Sequence, residues 1–162
     1  MKNKYLNIFL ISMAIIMCII NFHLNLLTLF IIFTTIPIYI ISKKSPSIGL
    51  LTYIILFLSI LLDDYYYSIL FLFFYGIVGV FLGMLSHYLD KKFLISLING
   101  VILFISINAI NMTLTLTTLS NPYINTSFLQ LIILLFSIFF SYIMLLICNY
   151  IYGKLFKTKY SI

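Results

Sequence analysis

Apolar residues along this chain come in runs broken at intervals by a few polar positions, and each run is long enough to cross or nearly cross a bilayer as a helix. The first follows Lys2 and Lys4 and predicts a helix over about 6–20. Asn21, His23 and Asn25 interrupt the pattern, and a second helix is expected over 24–42, ended by Lys43 and Lys44. Ser45, Pro46 and Ser47 predict a turn, because proline lacks the backbone donor that a continuing helix needs. A third run, 48–62, stops at Asp63 and Asp64. A fourth, 66–88, is followed by Asp90, Lys91 and Lys92, and a fifth covers 93–113. Residues 114–126, LTLTTLSNPYINT, form the one polar loop of any length, with a turn at Asn121 and Pro122. The sixth run, 127–152, leads into a tail with three lysines. The head of the chain has the outline of a signal peptide, but no small-x-small cleavage site follows it, so it reads as a first membrane helix.

The fourth run carries half of the six glycines. Gly76, Gly79 and Gly83 are spaced by three and four residues, which puts them on one face of a helix. Lipid tails are as apolar as leucine, so membrane helices associate through close backbone contact, and a GxxxG such as Gly79 to Gly83 permits it. This run is therefore expected to be the central packing helix, with Val80 off the glycine face, where leucine is expected to be tolerated. The plainer reading is that glycine is simply common in membrane helices.

Composition narrows the class. With 64% hydrophobic and 7% charged residues in 162, the chain is expected to be an all-α, polytopic membrane protein forming one transmembrane domain, 1–162. Its net charge of +6 does not point to nucleic acid, because the lysines cluster at the ends of apolar runs. The absence of Arg, Glu and Trp beside abundant Ile, Asn, Lys, Tyr and Phe fits AT-rich coding and so a prokaryotic cell membrane. Lysine also orients the chain, since cytoplasmic loops are enriched in Lys and Arg. With six spans and both termini cytoplasmic, the inside segments hold Lys2, Lys4, Lys43, Lys44, Lys91, Lys92, Lys154, Lys157 and Lys159, which is every lysine. Merging the first two runs would split them between the two faces.

Candidate chemistry is sparse. Asp63 and Asp64, followed by Tyr65, Tyr66 and Tyr67, could bind a cation or basic ligand, or simply anchor a helix end at the interface. Asn99, Ser106, Asn108 and Asn111 recur along the fifth helix, and hydrogen bonding between helices and a pocket wall are equally open readings. Tyr142 and Asn149 on the sixth helix share that question. His23 and His87 are expected on opposite sides of the membrane and so share no metal. Cys18 and Cys148 lie within apolar runs without ligand spacing and read as packing residues; no cofactor is implied. No HExxH, GxSxG or Walker loop is present, and the chain is not expected to be an enzyme.

Six short helices, the proline-bearing stretch TTIPIYIISKKSPSIGLL and the helix SILFLFFYGIVGVFLGML ahead of Lys91 and Lys92 resemble the substrate-binding S components of energy-coupling-factor transporters. Within that group the chain is most similar to the YybS-like (DUF2232) membrane proteins over about 22–110. Asp63 followed by Gly76 and Gly79 also looks like the pattern of the rod-shape protein MreD, a rival with the same six-helix fold. The chain departs from MreD in lacking paired glycines before the aspartate. It departs from S components in lacking an AxxxA pair on the first helix, where Ala14 and Cys18 stand instead. The first resemblance implies small-molecule binding at the outer surface by Asp63, Asp64, Tyr66, Asn108, Asn111 and Gln130, and an energising membrane subunit with ATPases as partner. The second implies a scaffold among envelope proteins. A small subunit of some other membrane assembly is a third reading.

Overall fold

A computed structural model of the chain describes residues 8–9, 11–13, 16, 29–63, 65–117 and 127–157. Apart from Ser45 and the link 89–91, all of these are helical. Helix α1 spans Leu29–Lys44 and α2 spans Pro46–Asp63. Helix α3 runs over Tyr65–Tyr88. Helices α4 and α5 follow as Lys92–Thr117 and Ser127–Lys157. The expected features at Cys18, His23, Asp64 and Asn121 lie outside the described residues.

Boundaries differ from the sequence pattern where local chemistry is stronger than hydropathy. The turn expected over 45–47 contracts to Ser45, whose N–H donates to Ile41 O at 2.8 Å and whose carbonyl accepts from Gly49 N at 3.0 Å. One residue thus closes α1 and opens α2. Pro46 takes the first helical position, where its missing donor costs nothing. Helix α4 continues past 113 to Thr117, and α5 continues past 152, through Gly153, because Ile151, Tyr152 and Phe156 of α5 pack on the core and outweigh the weak local preferences there.

Helix directions follow from the contacts between helices. Gly79 faces Thr35 and Ile38, and Gly83 faces Tyr39 and Ser42, so α3 and α1 run parallel. Asn99 reaches Ser141 and Gly100 faces Ile138, so α4 and α5 are antiparallel. Lys43 and Lys44 meet Asn149, Tyr152 and Phe156, which makes α5 parallel to α1. Consequently Lys43, Lys44, Lys91, Lys92 and Lys154 all stand at one end of the bundle, and Asp63, Tyr65 and Tyr66 stand at the other.

Helix α3 contacts each of α1, α2, α4 and α5. Its strongest packing is with α1. A methyl group added at Gly79 would come within 2.9 Å of Thr35 O, and one at Gly83 within 2.7 Å of Tyr39 O. The two glycines let the backbones meet. Val80 lies off the glycine face, but it is not a position where substitution is mild. It is buried with Ile38, Leu56 and Phe71 in a core shared with α2, so glycines and valine fill two adjoining faces. The larger core gathers Tyr39, Ile40 and Ile41 of α1, Val78 and Leu82 of α3, Ile95 and Leu103 of α4, and Met144, Leu145 and Cys148 of α5.

Among the described helices, Tyr65–Tyr88, Lys92–Asn111 and Phe128–Phe156 are long and apolar enough to cross a membrane, and Pro46–Leu62 is a shorter apolar helix. Only 28% of the most apolar stretch in Phe128–Phe156 is buried within the bundle. Exposed Phe128, Leu131, Leu135, Phe136 and Phe139 then face the surroundings, which suits lipid rather than water.

Candidate functional site

The residues singled out in sequence fall mostly at the end opposite the lysines. Asp63 closes α2 there, and Tyr66, beside it in the next helix, is exposed with its ring edge-on to Tyr65 at 6.0 Å. Asn108 and Asn111 are half-buried toward the same end of α4, and Gln130 is half-buried in the first turn of α5. The antiparallel register relates them. Counted from the Asn99–Ser141 bond, Asn111 lies about 18 Å up α4 and Gln130 about 17 Å up α5, within one turn in height. The link 118–126 joins the helices at this end and lies outside the described residues. An acid, tyrosines and three amides from separate parts of the chain thus share one end.

Not all of the polar positions face that end freely. Asn108 Nδ2 donates to Phe104 O, one turn back on its own helix, at 3.0 Å. Ser106 Oγ likewise donates to Ile102 O at 2.9 Å. Asn99, fully buried, donates from Nδ2 to Ser141 Oγ at 2.9 Å across to α5. Of the two open readings for this stripe, hydrogen bonding between helices describes Asn99, whereas Ser106 and Asn108 bond back to their own helix.

A polar cluster at the lysine end joins Asn149, an open candidate in the sequence, to Tyr39 and Lys43, which the sequence pattern does not mark as site residues. Asn149 Oδ1 accepts from Lys43 Nζ at 2.6 Å and from Tyr39 Oη at 2.7 Å, and Lys43 Nζ also donates to Tyr39 Oη at 3.2 Å. The Lys43 ammonium lies 4.5 Å from the Tyr152 ring centre and 5.5 Å from that of Tyr39, and Lys44 Nζ lies 4.8 Å from Phe156. Neutral oxygens and ring faces therefore solvate a cation at a helix end. His87 Nδ1 donates to Lys43 O at 2.8 Å, tying α3 to the last turn of α1. The available signal was the four-residue spacing of Tyr39 and Lys43, which stacks them on one helical face. Nothing local pairs them with Asn149, 106 residues beyond Lys43.

Helix α3 widens at Phe71–Tyr75, where the N–H of Gly76 reaches back five residues to Phe71 O. Tyr53 Oη donates to Leu72 O at 2.7 Å, and Thr35 Oγ1 donates to Tyr75 O at 3.2 Å. Side chains from both neighbouring helices thus meet carbonyls of the widened turn, as buried backbone acceptors require.

A groove of about 540 Å³ lies between α4 and α5, lined by Lys92, Phe93 and Ser96 on one side and Leu135, Ile138, Phe139 and Tyr142 on the other. None of the ligand positions expected from sequence lines it; Tyr142, left open there, does. No protein-family model, curated protein or solved structure matches the chain.

Proposed function

We propose that this chain is a multi-pass membrane subunit that binds a small molecule for transport, in the manner of the S components it resembles, with six spans and both termini in the cytoplasm. The reading rests on one observation above the others. Asp63, Tyr66, Asn108, Asn111 and Gln130, drawn from four helices, share the end of the bundle away from the lysines. Under the positive-inside rule that end is the outer one. Amides and tyrosine rings suit an uncharged or cationic, partly aromatic ligand, and among the described residues no lysine stands there to pair with an anion. An energising membrane subunit with its ATPases is the partner this role requires.

The scaffold reading is favoured by a different observation, the commitment of Asn99, Ser106 and Asn108 to bonds within the helix pair α4 and α5. Purification of the full chain in mild detergent, with mass spectrometry of what it carries, separates the two. Transport expects a small molecule that co-purifies and is lost from Asn111→Ala and Asp64→Ala. A protein that carries nothing, and whose two variants alter only assembly or cell shape, is a scaffold.

A further inference from the structure

The groove between α4 and α5 has a polarity gradient along its length. Lys92 stands at the lysine end, with Lys91 adjacent. Ser96, buried with its hydroxyl donating to Phe93 O, and the partly exposed Tyr142 come next, and beyond them the wall is apolar, with Phe139, Ile138 and Leu135 in that order away from the charge. The α5 positions 135, 138, 139 and 142 recur at helical spacing, so they form one continuous wall.

Length is the second observation. The register of Asn99 against Ser141 places Ser96 near the level of Tyr142 to Met144. From Lys92 to that level is about 6 Å, and from Tyr142 to Leu135 about 10 Å, giving a groove of about 16 Å. Half of a bilayer's hydrocarbon core is about 15 Å. The slot is one leaflet deep, with its cation at the headgroup level.

Charge balance supplies the third. Lys43, Lys44, Lys91, Lys92 and Lys154 gather at this end, against Asp90. Lys43 and Lys44 are turned onto Tyr152 and Phe156, whereas Lys91 and Lys92 are exposed. Basic pockets between helices on the cytoplasmic side suit anionic headgroups.

We propose that this groove binds an anionic phospholipid of the leaflet at the lysine end, with its phosphate at Lys92 and one acyl chain laid along Phe139, Ile138 and Leu135. The site does not depend on any transport role. Native mass spectrometry of the purified full chain tests it, with phosphatidylglycerol and phosphatidylcholine of matched chains offered at equal concentration. The wild-type protein retains phosphatidylglycerol in preference. Lys92→Gln lowers that retention about fivefold, whereas Lys154→Gln, an exposed lysine of the same end outside the groove, leaves it unchanged. Leu135→Trp alters an exposed side chain, so the core is spared, and it lowers retention of both lipids by filling the slot. Equal losses from Lys92→Gln and Lys154→Gln would mean general attraction to anionic surfaces and overturn the site. So would equal retention of the two lipids, or a wild-type dimer that Leu135→Trp dissociates, which would assign the groove to a second copy of the chain.

Discussion

Replacing Gly83 by alanine adds one methyl group at the tightest approach of α3 to α1. That methyl would lie 2.5 Å from Ser42 Cβ, 2.7 Å from Tyr39 O and 3.1 Å from Lys43 N. Two of these are backbone atoms, which cannot swing aside as the tip of a side chain can. Carbon atoms pack at about 3.5–4.0 Å, so the two helices must part by about 1 Å. A gap of that size forfeits a quarter to a half of the dispersion attraction along the seam. Overpacking of this kind costs about 1–3 kcal/mol, against a gain of up to about 1 kcal/mol from replacing glycine within a helix. The expected net loss is about 1–2 kcal/mol for Gly83→Ala, and more for Gly83→Leu. Gly153 is the matched control, since a methyl group there meets nothing within 4 Å. Gly153→Ala should be neutral or slightly stabilising. Reversible unfolding in mixed detergent micelles, followed by circular dichroism, compares the three variants with the wild type. If Gly83→Ala unfolds no earlier than Gly153→Ala, the close contact of α1 and α3 does not hold the bundle together.

Three further outcomes follow from the buried polar groups. Ser42 is wedged between Gly49 and Gly83 with its hydroxyl buried and unbonded, so Ser42→Ala should match or exceed the wild type by up to about 1 kcal/mol in the same unfolding assay. A double-mutant cycle of Asn99→Ala with Ser141→Ala should give a coupling of about 0.6 kcal/mol, the usual scale for hydrogen bonds between membrane helices, and zero coupling would break the assigned pair. Asn149→Ala removes the acceptor shared by Lys43 and Tyr39 and should cost about 2 kcal/mol, with Tyr39→Phe costing less because Lys43 keeps Asn149.

Helices α1 to α5 are legible because most of the apolar runs end in a charge or an amide, and lipid leaves few alternatives to a helix for such a run. The seam of Gly79 and Gly83 was legible for a related reason: a run of small residues at helical spacing means little unless another backbone comes close. The burial of Val80 is not legible, because that spacing reveals one face of α3, whereas two partners, α1 and α2, cover adjacent faces. The turn at Ser45 is shorter than the pattern predicts, since proline both breaks a helix and serves as a first helical residue. The cluster of Tyr39, Lys43 and Asn149 and the groove beside Lys92 both arise where distant helices are brought side by side. Hydropathy within one run carries no record of which face meets which neighbour. The residues that resemblance and charge point to do gather at the end opposite the lysines, but the bond from Asn108 to Phe104 is a rotamer-level outcome that no spacing encodes.

The most direct test concerns which end of the bundle faces the cytoplasm. Single cysteines are placed in intact cells at Asp64, Asn121, Ser45 and Lys157, in a background lacking Cys18 and Cys148, and exposed to an impermeant thiol reagent. Asp64→Cys and Asn121→Cys should react, while Ser45→Cys and Lys157→Cys should react only after the membrane is opened. Labelling of Ser45→Cys from outside would place Lys43 and Lys44 on the outer face and contradict the orientation on which the outer site, the inner lysine end and the lipid groove all depend.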